Sequence, residues 1–154
     1  MNSEPEQLVV EVRFEIEKDA EGYPKSRDAE ALLCKPLNPE CSVCVVVSVP
    51  FYLRNVAYGD TITTTDDSAG CLQFKEIVKR SGYSIYRVLL HDLSKKDELI
   101  EKLLSFDTVL EQDGSLIAFA VPQAVDSAGI VEYLLKEKQK GYWGVQDGFI
   151  FESS

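Results

Sequence analysis

His91 followed by Asp92, at the end of an apolar run, is the pairing whose residue types come closest to catalysis. Metal-dependent hydrolases built on such a doublet need further histidines as ligands, and this chain contains one His, so that chemistry is excluded. A Ser-His-Asp relay would have to recruit Ser81 or Ser84. Ser84 and His91 lie on one extended run, roughly 23 Å apart at about 3.3 Å per residue, so their side chains do not meet. Asp60, Asp66, Asp67 and Asp92 stand at turns, where paired carboxylates can share acid and base work if their surroundings separate their pKa values. Asp is equally an ordinary turn former, and that reading is preferred. No residue is given a catalytic role.

Cys41 and Cys44 have the spacing of half a zinc site, which Cys34 or Cys71 would complete. The latter two are not closely spaced, and Cys44 lies in a hydrophobic run where a thiol behaves as a small apolar group, so structural cysteines are preferred. Arg87 alternates with Ile85 and Leu89 and should point to one face of a buried strand. A buried guanidinium needs a carboxylate, and an ion pair with Asp60 is expected. Arg54, Tyr58 and Asp60 reach one exposed turn, and with Asp66 and Asp67 they are candidate binding residues. Tyr142 and Trp143 are candidates for an aromatic interface anchor, against the preferred alternative that they plug the end of a sheet.

Two kinds of element must position these groups. Leu8 to Glu17 alternates apolar and polar residues as a half-buried strand does, and Asp19 to Asp28 contains Gly22, Tyr23 and Pro24 and reads as a loop. Ala29 to Leu37 is taken as a second strand. Cys41 to Leu53 holds the longest apolar run and is expected to be the central strand, weakened at Pro50. Thr61 to Thr65 follows, and then a strand with Leu72, Phe74 and Val78 on one face. Short strands with tight turns suggest a small antiparallel β-barrel or a curled sheet over residues 8–80.

Beyond Gly82 the pattern becomes strand, helix, strand, strand, helix, strand. Ile85 to Leu90 is a buried strand, Leu99, Ile100, Leu103 and Leu104 recur at helical spacing, and Asp113-Gly114 marks a hairpin. A second helix spans about Asp126 to Lys140, and Phe149 to Phe151 is expected to be the last strand. That order is the split βαβ, ferredoxin-like arrangement over residues 83–152. The fold class is α+β, with the two lobes packed as one unit.

The formal net charge is -10, from 16 basic and 26 acidic residues, which argues against nucleic acid and favours a basic partner. No apolar run approaches the roughly 20 residues of a membrane span. The acidic start is unlike a signal peptide, so a cytoplasmic location, free thiols and no membrane association are expected. No phosphate loop or dinucleotide fingerprint appears, and no cofactor is implied.

Gly22-Tyr23-Pro24, Pro50-Phe51, Gly59-Asp60 and Ser81-Gly82-Tyr83-Ser84 running into Arg87-Val88 resemble, in order, the bacterial domain-of-unknown-function family numbered 4265. The resemblance spans about Val10 to Trp143 and implies a small, cytoplasmic, often acidic bacterial protein, with no catalytic assignment to carry over. Tyr83 replaces a polar residue or His common in that family, and Cys41 and Cys44 are additional. The preferred function is an acidic binding protein, specifically an antitoxin or immunity protein masking a basic toxin domain. Behind it stand a small-molecule-binding regulatory module, by fold analogy, and a hydrolase using carboxylates such as Asp60 and Asp92.

Overall fold

The first strand, β1 (Val10–Glu15), buries Val12 and Phe14 while Glu11, Arg13 and Glu15 face water, as its period of two requires. The structure is a computed structural model describing residues 8–18, 20–21, 28–66, 70–125 and 127–152. β2 (Ala29–Pro36), β3 (Val43–Val46), β4 (Thr61–Asp66) and β5 (Leu72–Lys79) follow, each antiparallel to the one before. Five strands joined up and down leave the first and last running the same way. The barrel therefore closes through a parallel pairing of β1 with β5, Val12 opposite Leu72.

Two expectations for this lobe need correction. The central strand ends at Val46 instead of continuing to Leu53, because Pro50 offers no N–H and the amides around it are taken by carboxylates from other strands. Val78 does not share a face with Leu72 and Phe74; it is 58% exposed, and Ile77 packs inward instead. Between Phe74 and Lys79 the pairing with β4 slips at two irregularities, and each slip of one residue reverses the side that faces the core.

The second sheet has the order β7 (Val109–Asp113), β8 (Leu116–Val121), β6 (Ser84–Leu90), β9 (Trp143–Asp147), with every neighbouring pair antiparallel. Between β6 and β7 lies α1 (Lys96–Leu104), and between β8 and β9 lies α2 (Ser127–Lys138). Leu99 and Leu103 of α1 and Ile130 and Leu134 of α2 pack on Tyr86, Val88, Ile117, Phe119 and Trp143 from one face of the sheet. The last strand is Trp143–Asp147, not the expected Phe149–Phe151. Trp143 and Val145 alternate into the helix-facing core, and Gly148 then lies close against β6, where a Cβ would be 2.9 Å from Ile85 Cγ2.

The sheet's other face carries Ile85, Arg87, Ala118 and Ala120. Those two alanines leave room for residues 47–60, the loop between β3 and β4. Val49 and Ala57 of that loop pack on the sheet, whereas Leu53 and Val56 enter the barrel core. Each fully buried Leu or Val side chain contributes about 1.5–3 kcal/mol, so one loop is anchored apolarly to both lobes. Among the described residues no helix is long and apolar enough to cross a membrane.

Candidate functional site

Polar groups fix the same loop, and they come from four directions. The Val49 N–H donates to a Glu111 Oε2 carboxylate oxygen from β7. Glu30 of β2 accepts the next available amides, Phe51 N–H at 2.7 Å and Tyr52 N–H at 3.0 Å, one on each oxygen. Arg87 of β6 donates through Nε to the Pro50 carbonyl at 3.3 Å and through Nη2 to the Leu53 carbonyl. Asp60 accepts from Ala57 N–H at 2.9 Å, from Ser81 N–H at 2.8 Å and from Arg80 Nη1 at 2.9 Å. Arg80 also donates to the Asn55 carbonyl at 3.0 Å and lies over the Phe149 ring at 4.2 Å.

The expected Arg87–Asp60 ion pair is therefore corrected. Asp60 is fully buried and its cationic partner is Arg80, while Arg87, 2% exposed, spends its donors on loop carbonyls. Burial pulls the Arg87 guanidinium down to about 10, opposed by the nearby Glu30 charge. A buried cation can be satisfied by backbone carbonyls aimed at it, which sequence does not disclose.

The turn read as an exposed site is largely closed by the same bonds. Asp60 is an interior carboxylate, corrected from its expected place on an open turn. Tyr58 is half-buried, its ring edge-to-face with Tyr83 at 5.1 Å, and Gly59 takes φ +85° where a Cβ would meet Ser81 Cβ at 2.9 Å. Arg54 is exposed on the loop. Asp66 is exposed at the end of β4, away from this cluster in the strand register; Asp67, like Gly22, Tyr23 and Pro24, lies outside the described residues.

Trp143 is also corrected as an exposed anchor, because it is 2% exposed and its indole N–H donates to the Leu134 carbonyl at 3.1 Å. Tyr142 is half-buried, with the Lys95 ammonium 4.5 Å from its ring centroid. His91 is exposed, and Asp92 caps the 3₁₀ turn Leu93–Lys95, accepting from Ser94 N–H at 3.0 Å and Ser94 Oγ–H at 2.6 Å. Those bonds hold the Asp92 carboxyl below its ordinary range. Cys34 and Cys44 are buried in the barrel, Cys41 is half-buried and Cys71 exposed. Burial pushes the Cys34 thiol up to about 12, with Cys44 adding to the shift. Among the described residues no three or more His, Cys, Asp or Glu side chains form a group able to hold a metal.

A concavity lies elsewhere, between α1 and α2. It measures about 740 Å³ and is lined by Phe106, Tyr133 and Gly129 together with Glu98, Glu101, Glu132 and Glu137, against Lys102 and Lys136. The apolar spacing of the helices points to their buried faces and not to this outer one. The sequence signal for it is a set of acidic residues at 98 and 101 on one helix and at 132 and 137 on the other, with Phe106 and Tyr133 nearby. Burial, and then Glu98 and Glu137, push the Tyr133 phenol up, so it stays neutral among carboxylates. An aromatic floor under a negative rim is suited to holding a cation.

A five-strand barrel joined by a clamped loop to a helix-covered antiparallel sheet defines an α+β protein of two lobes. A family model described as "Domain of unknown function (DUF4265)" matches residues 39–145, well over half of the chain, and the chain belongs to that family. The fold is similar to "Novel crystal structure of a hypothetical protein from Neisseria gonorrhoeae", with a TM-score of 0.74 at 14% identity, covering 95% of this chain and 98% of that one. No curated protein matches the chain.

Proposed function

We propose that this is an acidic cytoplasmic binding protein that captures a basic protein surface in the α1–α2 groove, as an immunity or antitoxin protein captures a basic toxin domain. The observation that carries the reading is the groove itself, where Glu101 and Glu132, without ion partners among the described residues, stand on facing helices beside two aromatic rings. A net charge of -10 would speed the approach of such a partner. The second lobe is read as ferredoxin-like; its support is the sheet order β7-β8-β6-β9 with both helices on one face.

The small-molecule alternative has less to stand on. A second hollow, beside Gly82, Ser84, Gln123 and Ser127, holds about 110 Å³, against the roughly 300–1,000 Å³ of typical ligand pockets. A carboxylate hydrolase would need Asp60 and Asp92, whose oxygens accept hydrogen bonds from their own chain and do not line the groove.

Titration of the isotope-labelled protein with an arginine-rich decapeptide tests the reading. Amide shifts should cluster on α1 and α2, and affinity should fall by roughly tenfold or more between 50 and 300 mM salt. Shifts confined to the barrel, or none, would refute it. The immunity form fails if cells making the protein stay fully sensitive to a basic toxin domain that it binds.

A further inference from the structure

The groove already holds a cation of its own. The Lys102 ammonium lies 5.5 Å from the ring centroid of Phe106 and 5.5 Å from that of Tyr133. Among the described residues, no carboxylate comes within 4.0 Å of it: of the lining glutamates, Glu98 meets Lys95 at 3.9 Å and Glu137 meets Lys140 at 3.2 Å. Glu101 of α1 and Glu132 of α2 line the groove from opposite helices and have no ion partner among the described residues. Gly129 lies inside α2, where glycine is disfavoured, and a Cβ there would reach Phe106 Cε1 at 3.8 Å. The missing side chain keeps the groove open above the ring.

Resting on the basic-partner reading above, we propose that the groove is an arginine-side-chain site in which the incoming guanidinium displaces Lys102 from the two rings. The planar guanidinium stacks on Tyr133 and Phe106 and takes Glu101 and Glu132 as its carboxylates. Arginine fits better than lysine, because it is less strongly hydrated and its flat fork can stack and bond two acceptors together. Lys102 is exposed, on a long stem, and swings out at little cost. It is a stand-in for the ligand, so removing it should improve binding.

Calorimetry with three matched decapeptides, carrying arginine, lysine or neutral citrulline, tests this on the full chain. Lys102→Met should bind the arginine peptide about three- to tenfold more tightly than the wild type, and Tyr133→Leu should bind it at least fivefold more weakly. Glu101→Gln with Glu132→Gln should weaken binding and flatten its salt dependence, and the citrulline peptide should not bind. Lys102→Met alters an exposed side chain, so its result stands even if Tyr133→Leu unfolds the helix pair. If the wild type binds the arginine peptide on α1 and α2 but Lys102→Met leaves affinity unchanged or weaker, the displacement is overturned while the basic-partner reading survives. If neither protein binds any basic peptide, both are overturned.

Discussion

Replacing Asp60 by Ala removes one side chain and strands three donors. Ala57 N–H is buried with no other acceptor recorded, and an unsatisfied buried amide costs about 1–3 kcal/mol. Ser81 N–H is only part-buried and can recover a water, which limits its loss to about 1 kcal/mol. Arg80 is 35% exposed, so its ion pair is solvent-screened and adds no more than about 1 kcal/mol. The total is about 3 kcal/mol. For a chain of this length each kcal/mol shifts the melting temperature by about 2–4 °C, which places Asp60→Ala roughly 6–12 °C below the wild type. Asp60→Asn keeps one carbonyl oxygen but turns an amide N–H₂ toward at least one of the donors, so it should fall between the two. Thermal and urea unfolding followed by circular dichroism measure both variants. A loss under about 1 kcal/mol for Asp60→Ala, or an Asp60→Asn indistinguishable from the wild type, would refute Asp60 as the bond holder of the loop.

Arg87→Met sets two terms against each other. It leaves the Pro50 and Leu53 carbonyls without their donor, at about 1–3 kcal/mol each. It also relieves the burial that moves the guanidinium from 12.5 to about 10, equivalent to about 3 kcal/mol. Arg87→Met should therefore cost less than Asp60→Ala in the same melts, and a loss above about 4 kcal/mol would show that the carbonyl bonds dominate. The thiols give a second handle. In the native protein at pH 8 a thiol reagent should modify Cys71 fast, Cys41 more slowly, and Cys34 and Cys44 only on unfolding. The Cys34 thiol is raised from 9.0 to about 12, so its stabilisation is complete below pH 9. Between pH 9 and 12 the unfolded chain holds fewer protons than the native one, and stability falls by about 1.4 kcal/mol per pH unit from this group. Cys34→Val should make that alkaline loss shallower; an unchanged slope would refute the buried thiol as its source.

What was readable in the sequence is what local pattern dictates. The alternation of Val12 and Phe14, the helical spacing of Leu99 and Leu103, and Asp113-Gly114 at a hairpin with Gly114 at φ +60° are short-range signals, and each element lies where the pattern put it. The barrel lobe and the mixed α+β class followed from them. Long-range geometry was the part hidden. Whether Asp60 pairs with Arg87 or Arg80 depends on how two lobes meet, and the slip between β4 and β5 that turns Val78 outward leaves no mark in composition. Much of the family resemblance rests on residues that cluster: Pro50 and Phe51, Gly59 and Asp60, Ser81 and Arg87 all bond within or against the 47–60 loop, while Gly22, Tyr23 and Pro24 lie outside the described residues. They specify the joint between the lobes.

That joint also decides which acids can serve a partner. A cation competing for Asp60 must first break bonds worth about 3 kcal/mol to the fold, a handicap of roughly a hundredfold in affinity. Glu30 and Glu111 carry the same handicap, since each holds loop amides. Glu101 and Glu132 carry none, because both are exposed and neither has an ion partner among the described residues. An incoming cation there meets Lys102 over the two rings and Lys136 on the rim, and neither is tied to a carboxylate of the fold among the described residues. Glu101 and Glu132 are thus free to meet a partner at no cost to the fold, on the side of the second sheet opposite the clamped loop.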